Sequence, residues 1–144
     1  MHLNFYFLVQ LISELKPLLQ GSWLLEAFTQ EKDEVVFAFA KKGEDFYLKF
    51  QLGSGIQFLS FPAQFHRARR NSKDLFAAAM EMQVIDLFVT PQDRSFGIVL
   101  ENDMLLFFKC HGSKSNVVLC QHGKGVEQFH KSYPDLTLNP ESLA

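Results

Sequence analysis

Apolar residues near the N-terminus recur at the spacing of a helix. Asn4 is placed to cap the start of this helix and Gly21 to close its end. Pro17 removes the donor that would reach the carbonyl of Ser13, so we expect a kink or an early stop near Lys16. The buried face predicted by the i, i+3, i+4, i+7 spacing consists of Leu8, Leu11, Ile12, Leu15 and Leu19.

After this helix, apolar and polar residues begin to alternate, which predicts strands. The clearest alternation runs from Phe46 to Leu52. Short polar separators such as Gly53-Ser54-Gly55 connect successive strands and indicate antiparallel meanders. The predicted strands are residues 23–30, 35–40, 46–52, 56–61, 84–89, 95–100, 104–109 and 115–121.

Between the two groups of strands, helical spacing returns. Residues 73–82 predict a second helix that Ser72 would start, with Leu75, Phe76 and Ala79 among its apolar positions. The predicted fold class is α+β, with two antiparallel meanders that form a sandwich or barrel with flanking helices. Residues 1–131 are expected to form this domain, and residues 132–144 a tail or the start of a linker.

Composition narrows the possible classes of function. The chain has 144 residues, 47% hydrophobic and 21% charged, which is typical of one globular domain. Its formal charge of −2 argues against a wholly basic coat, so any contact with RNA requires a local patch. The sequence has no apolar run of about 20 residues and no secretory signal, and its two cysteines form no disulfide framework. The cytoplasm is therefore the expected location.

The two cysteines and their neighbouring histidines offer little support for a metal site. If the hairpin turns about Ser113 and Lys114, Cys120 lies opposite Phe107, about 10 Å along the strand from Cys110. That distance is too long for a disulfide, and the spacing is unlike that of structural zinc sites. The chain also has no Gly-x-Ser-x-Gly elbow and no P-loop. We therefore expect no metal, no cofactor and no enzymatic activity.

A basic segment follows the first group of strands. It holds three arginines and a lysine within a few residues of each other. Such a run can be a solvated loop, or it can contact phosphates through the planar forks of its arginines. The sequence leaves both interpretations open for its cations, which are Arg67, Arg69, Arg70 and Lys73.

The adjacent pair Asp93-Arg94 lies between two apolar strands. On an extended backbone these side chains point to opposite faces, so each needs its own partner in the protein or in a ligand. A polar turn at the start of a strand and a binding site both remain open. Ser115 and Asn116, at the start of a later strand, are expected to fix a turn through side-chain to backbone hydrogen bonds.

Taken in order, these segments resemble the N-terminal domain of the NFACT family. This family comprises the RqcH and NEMF-type ribosome quality-control factors, long labelled fibronectin-binding protein A in bacteria. The resemblance extends from Met1 to about His130. It rests on Glu14-Leu15 leading to Gly21, Phe61-Pro62, the basic segment, Asp93-Arg94, and the stretch Ser115-Asn116-Val117-Val118-Leu119, similar to the family's serine-asparagine-isoleucine-isoleucine-leucine.

The resemblance implies a fold related to the N-terminal domain of formamidopyrimidine-DNA glycosylases, without their catalysis. His2 and Leu3 stand where those enzymes have their catalytic proline and glutamate. The family binds an obstructed large ribosomal subunit and recruits tRNA, so that the stalled chain gains a C-terminal tail. Asp93 and Arg94 match the pair linked to tRNA.

The partners implied by the resemblance are therefore tRNA and the large ribosomal subunit, and we expect no membrane and no small-molecule substrate. The family's older fibronectin label suggests an alternative from another class of function. In that alternative, the chain is a protein-interaction or adhesin module.

Overall fold

One helix and two antiparallel sheets make up the fold of the computed structural model, which describes residues 5–52, 58–62, 67, 71–90, 95–110 and 115–129. The helix α1 spans Phe5–Leu19. The first sheet has the strand order β4-β3-β2-β1-β5 and the second the order β10-β9-β8-β7-β6. The strands are β1 Trp23–Thr29, β2 Glu34–Lys41, β3 Glu44–Gln51, β4 Phe58–Ser60, β5 Lys73–Asp74, β6 Val84–Thr90, β7 Ser95–Leu100, β8 Met104–Lys109, β9 Asn116–Gln121 and β10 Lys124–Gln128.

This architecture confirms the predicted α+β class and its two antiparallel meanders. The two sheets also meet at one place along their edges. There, the N–H of Leu24 donates to the carbonyl of Met82 over 2.9 Å, so the start of β1 lies alongside the residues that lead into β6. The relationship of this fold to the N-terminal domain of formamidopyrimidine-DNA glycosylases stays a prediction.

Phenylalanine side chains from both sheets form the centre of the core. The ring of Phe108, on β8, lies 5.2 Å from that of Phe37 and 5.7 Å from that of Phe50, both on the first sheet. It also stacks on Phe96 of β7 at 4.5 Å. These rings are fully buried, and they hold the inner faces of the two sheets together.

The helix α1 covers this core with the predicted face. Leu8, Ile12, Leu15 and Leu19 are buried, and Leu11 is half-buried against the same core. The alternative of an early stop near Lys16 is wrong, because the helix continues through Pro17 to Leu19.

The amine of Lys41 donates to the carbonyls of Pro17 at 3.3 Å and of Gln20 at 2.7 Å. These bonds satisfy acceptors that the last helical turn leaves without an intrahelical partner. Gly21 then ends the element with a φ of +87°. Asn4, the expected cap, lies outside the described residues.

The predicted helix at residues 73–82 is wrong. Lys73–Asp74 instead pairs with β1 as the short strand β5, and only Ala77–Ala79 forms a single 3-10 turn. Phe76 has φ 52° and ψ 44°, a left-handed conformation that a continuous helix excludes. This conformation accompanies the stacking of its ring on Phe37 at 6.1 Å, while a carboxylate oxygen of Glu127 accepts from its N–H at 2.8 Å. Tertiary contacts thus override the helix propensity of the alanines.

The predicted strands appear with ends shifted by a few residues, and the described part of the predicted strand at residues 56–61 is β4. The structure adds β5 and β10, which the sequence pattern did not predict.

The register of β8 and β9 differs from the prediction. Cys120 lies opposite Leu105 and not Phe107, a difference of two residues along β8. The separation from Cys110 along the strand is therefore about 17 Å. Both cysteines are free and buried. Among the described residues, no helix is long and apolar enough to cross a membrane.

Candidate nucleic-acid interface

Two of the motifs singled out in the sequence meet at one end of the second sheet. The strand register places Thr90 opposite Ser95, Ser95 opposite Lys109, and Lys109 opposite Asn116. The chain therefore leaves the sheet at Thr90 and returns at Ser95, at the same end of the sheet as the start of β9 and separated from it by β8. Asp93 and Arg94, which lie in this connection, are outside the described residues.

Buried polar side chains fix the base of this hairpin. The hydroxyl of Thr90 donates to the carbonyl of Ser95 and accepts from its N–H, both over 3.2 Å. Both residues are fully buried, and so is Asn116. Because buried polar groups need partners, this pairing holds Thr90 and Ser95 in one geometry. The Asp93-Arg94 connection thus starts and ends at fixed points.

The start of β9 has a local hydrogen bond of its own. The side-chain oxygen of Asn116 accepts from the N–H of Val117 over 2.9 Å. Ser115, the residue before it, is 2% exposed. This side-chain to backbone bond orients the beginning of β9 at the same end of the sheet as the hairpin base.

Arg67 lies on the first sheet, in contact with its outer face. Its guanidinium carbon is 4.5 Å from the ring centre of Phe28. Its terminal nitrogens lie 3.3 Å from the carboxylate of Glu26 and 2.7 Å from that of Asp74. Its Nε donates to the hydroxyl of Ser72 over 2.8 Å. These contacts link β1 with β5. They also occupy most of the guanidinium N–H donors with which Arg67 would bind a phosphate.

The other three cations of the basic segment have different positions. Lys73 is exposed on β5. Arg69 and Arg70 lie outside the described residues. The structure therefore places Arg67 and Lys73 on the first sheet, and Ser115 and Asn116 at the end of the second.

The partners of Arg67 were missed by the sequence reasoning. Glu26 and Phe28 occupy alternate positions of β1, which puts them on one face of the strand. An acid and an aromatic ring at that spacing are a weak signal for an arginine above them. No sequence pattern indicates which arginine this is, because Arg67 is separated from Glu26 by 41 residues.

Two titratable groups in the described part of the chain have shifted pKa values. The hydrogen bond from Lys16, 2.9 Å away, lowers the pKa of Asp86 despite an opposing effect of burial. Burial raises the pKa of Cys120 to about 11. That thiol is therefore a poor nucleophile and a poor metal ligand at neutral pH. Over the ranges that the structure describes, no three His, Cys, Asp or Glu residues are grouped to hold a metal ion.

Comparison with known proteins identifies similar folds. No family model and no curated protein matches the chain. The N-terminal domain of fibronectin-binding protein PavA from Streptococcus pneumoniae matches with a TM-score of 0.77 at 14% identity, over 94% of this chain and 58% of that one. A fibrinogen binding protein from Staphylococcus aureus matches with a TM-score of 0.73 at 13% identity, over 89% of this chain and 50% of the other.

At these identities the likeness shows the fold alone. The chain spans 58% of the length of the pneumococcal chain and 50% of the staphylococcal one.

Proposed function

We propose that this chain is the non-catalytic RNA-binding domain of an NFACT-like ribosome quality-control factor. It would bind tRNA and the large ribosomal subunit in the cytoplasm, and so support C-terminal tailing of stalled chains. The observation that carries the proposal is the register that places the hairpin base at Thr90 and Ser95 at the same end of the second sheet as Asn116, with Lys109 of β8 between Ser95 and Asn116. Two family-like motifs that are distant in sequence thereby share one end of a sheet.

The residue types at this end suit RNA. Arg94 can bind a phosphate bidentately, and Asp93 can accept from a base, a ribose hydroxyl or the loop itself. Lys109 belongs to the same row of residues and adds a positive charge to this end. The buried bonds of Thr90 and Ser95 reduce the entropy cost of binding, because the base of the loop is ordered beforehand.

In this proposal, the cations of the basic segment have two different roles. Arg67 orients the segment through Glu26, Asp74 and Phe28. Arg69, Arg70 and Lys73 then contact phosphates. Because the chain carries a net charge of −2, its affinity depends on such local cations and falls steeply with added salt.

The comparisons are compatible with this proposal without testing its RNA chemistry. One structural neighbour is the N-terminal domain of a fibronectin-binding protein, and the bacterial members of the NFACT family carried that label. Because this chain covers only about half of each neighbour, the activity of a longer factor that contains it also belongs to the proposal.

The test is a titration of fluorescent tRNA with the domain at low and near-physiological salt. We expect Arg94→Ala to weaken binding roughly tenfold to a hundredfold, as for a lost hydrogen bond to a charged group. The Arg69→Ala/Arg70→Ala double variant should lower the salt slope by about 1.5 to 2. Lys124→Ala removes an exposed lysine on β10 and serves as the control.

The RNA proposal fails if wild type binds no tRNA at low salt, or if the control variant weakens binding as much as Arg94→Ala. Melting curves of each variant separate lost contacts from lost folding. Arg67→Ala should behave differently, with a lower melting temperature, because its contacts are within the domain.

A second candidate function is a protein-interaction or adhesin module. The observation that favours it is that both structural neighbours are named for binding fibronectin or fibrinogen. Saturable binding of fibronectin that is unchanged by Arg94→Ala and by the double arginine variant would support this candidate over RNA.

A further inference from the structure

An apolar groove lies at the other end of the second sheet from the Asp93-Arg94 connection. It has a volume of about 550 Å³. Strand β7 separates the two ends, because it runs from Ser95 at the hairpin base to Leu100 beside the groove, about 17 Å away. The apolar residues that line it are Ile85, Phe88, Val99, Leu100, Met104 and Leu105.

Strand register explains why Phe88, Val99 and Leu105 share one face. Val99 lies opposite Leu105 on β8 and Asp86 on β6, while Phe88 lies opposite Gly97. Glycine gives the Phe88 ring its space at that position, since a Cβ on Gly97 would lie 2.5 Å from the ring and would force it to shift. The absence of a side chain there lets the Phe88 ring lie against the sheet.

Two carboxylates lie at the rim of the groove, on the turn between β7 and β8. Glu101 and Asp103 both line it, and no lysine or arginine is among the described residues that do. The side chain of Asp103 is 78% exposed, and it also contacts His122 at 3.1 Å. The rim is therefore negative above an apolar floor.

This turn is fixed from both sides. The N–H of Glu101 donates to the carbonyl of Gln83 over 3.1 Å, and a side-chain oxygen of Glu101 accepts from the N–H of Gln83 over 2.6 Å. On the opposite side, the N–H of His122 donates to the carbonyl of Asp103 over 3.1 Å. The two carboxylates thus extend from an ordered backbone, which favours binding without a large ordering cost.

We propose that this groove binds a basic peptide segment of a partner protein. The peptide places a bulky apolar side chain on Phe88 and Leu105, and an adjacent arginine or lysine at Glu101 and Asp103. Charge complementarity selects a cationic peptide, and the carboxylates repel the phosphates of an RNA. The proposed RNA-binding end and this groove are therefore separate surfaces for partners of opposite charge.

The test uses a fluorescein-labelled synthetic peptide that has leucine and phenylalanine flanked by arginines. Two matched peptides carry glutamates in place of the arginines, or serines in place of the apolar residues. Fluorescence anisotropy with the whole chain measures binding. Methyl chemical shifts of Ile85, Val99 and Leu105 locate the bound peptide.

The groove variants are chosen to preserve folding. Glu101→Gln keeps the acceptor for the N–H of Gln83, and Asp103→Asn keeps a residue type that tolerates its φ of 57°. Ile85→Ser changes a side chain that is 47% exposed. The matched controls are Glu44→Gln, an exposed acid on the other sheet, and Val126→Ser, an exposed apolar residue on β10.

We expect saturable binding of the arginine peptide and a much weaker response to the other two peptides. Neutralising Glu101 and Asp103 together should weaken binding about fivefold to tenfold, and Ile85→Ser about tenfold. The inference is overturned if the glutamate peptide binds equally well, or if the groove variants match the controls. It is also overturned if the peptide shifts no groove methyl, or if tRNA binding depends on Glu101 and Asp103.

Discussion

Gly97→Ala should destabilise the domain through one identifiable clash. The added Cβ would lie 2.5 Å from two ring carbons of Phe88 and 2.8 Å from a methyl carbon of Leu105. Both contacts are shorter than van der Waals distance, so the ring and the methyl must move. Phe88 is only half-buried and can move outward, which limits the cost. We therefore expect a loss of about 2 kcal/mol, within the usual range for an overpacked site.

Urea unfolding measures this effect. The single tryptophan, Trp23, lies at the start of β1 and provides the fluorescence signal. A loss of about 2 kcal/mol corresponds to a fall in melting temperature of roughly 6 to 10 °C for a domain of this size.

A double-mutant cycle with Phe88→Leu isolates the clash with the ring. The penalty of Gly97→Ala should shrink in the Phe88→Leu background, because the smaller side chain leaves room for the methyl group. A penalty below about 0.5 kcal/mol in wild type, or an equal penalty in both backgrounds, would refute the reasoning.

Three further predictions concern buried or shifted groups. Ser22→Ala should raise the free energy of unfolding by about 1 kcal/mol in urea titrations, because the Ser22 hydroxyl is buried without a hydrogen-bond partner among the described residues. Asp86 has a lowered pKa in the folded state, so its stabilising contribution is complete above the unfolded pKa and is lost as pH falls through the folded pKa. The Asp86→Asn variant should therefore lose less stability than wild type below about pH 4, as measured by urea unfolding at several pH values. Cys120, with a pKa of about 11, should react with a thiol reagent in the folded protein far more slowly than in the urea-unfolded chain at pH 8, and equal rates would contradict its burial.

Periodicity predicted the parts of the fold in which one face is buried. The helix follows this rule, because a helical stripe has only one way to place its apolar residues inside. Strands β2, β7 and β9 are instead buried along almost their whole length, and their continuous apolar runs between polar separators predicted them. The short strand β5 and the last strand β10 have little such pattern. Lys73–Asp74 is exposed, and Lys124–Gln128 alternates between exposed and half-buried positions up to Gln128.

The incorrect helix at residues 73–82 has a different cause. Its sequence has helical spacing and three consecutive alanines, so local preference alone favours a helix. The competing interactions come from Phe37 and Glu127, both far away in sequence. Single-sequence patterns contain no information about such long-range partners.

For the candidate site, too, local patterns predicted some features, and other features depend on long-range partners. The position of the Asp93-Arg94 connection between two strands followed from the apolar runs on either side. Its position at the same end of the sheet as Asn116 requires the pairing order of four strands, β6 to β9, which the meander predicts only if every register is correct. The role of Arg67 depends on side chains of another strand, so the sequence could show only that it belongs to a basic segment.

The bond between Phe76 and Glu127 has a consequence for how the chain folds during synthesis. Neighbouring strands of each meander are close in sequence, so the hairpins of the first sheet can form as they emerge from the ribosome. The backbone of Phe76, however, is held by a carboxylate that is translated 51 residues later. We expect the segment between the sheets to stay open to proteases in nascent chains that end before β10, and to become protected once Glu127 has emerged.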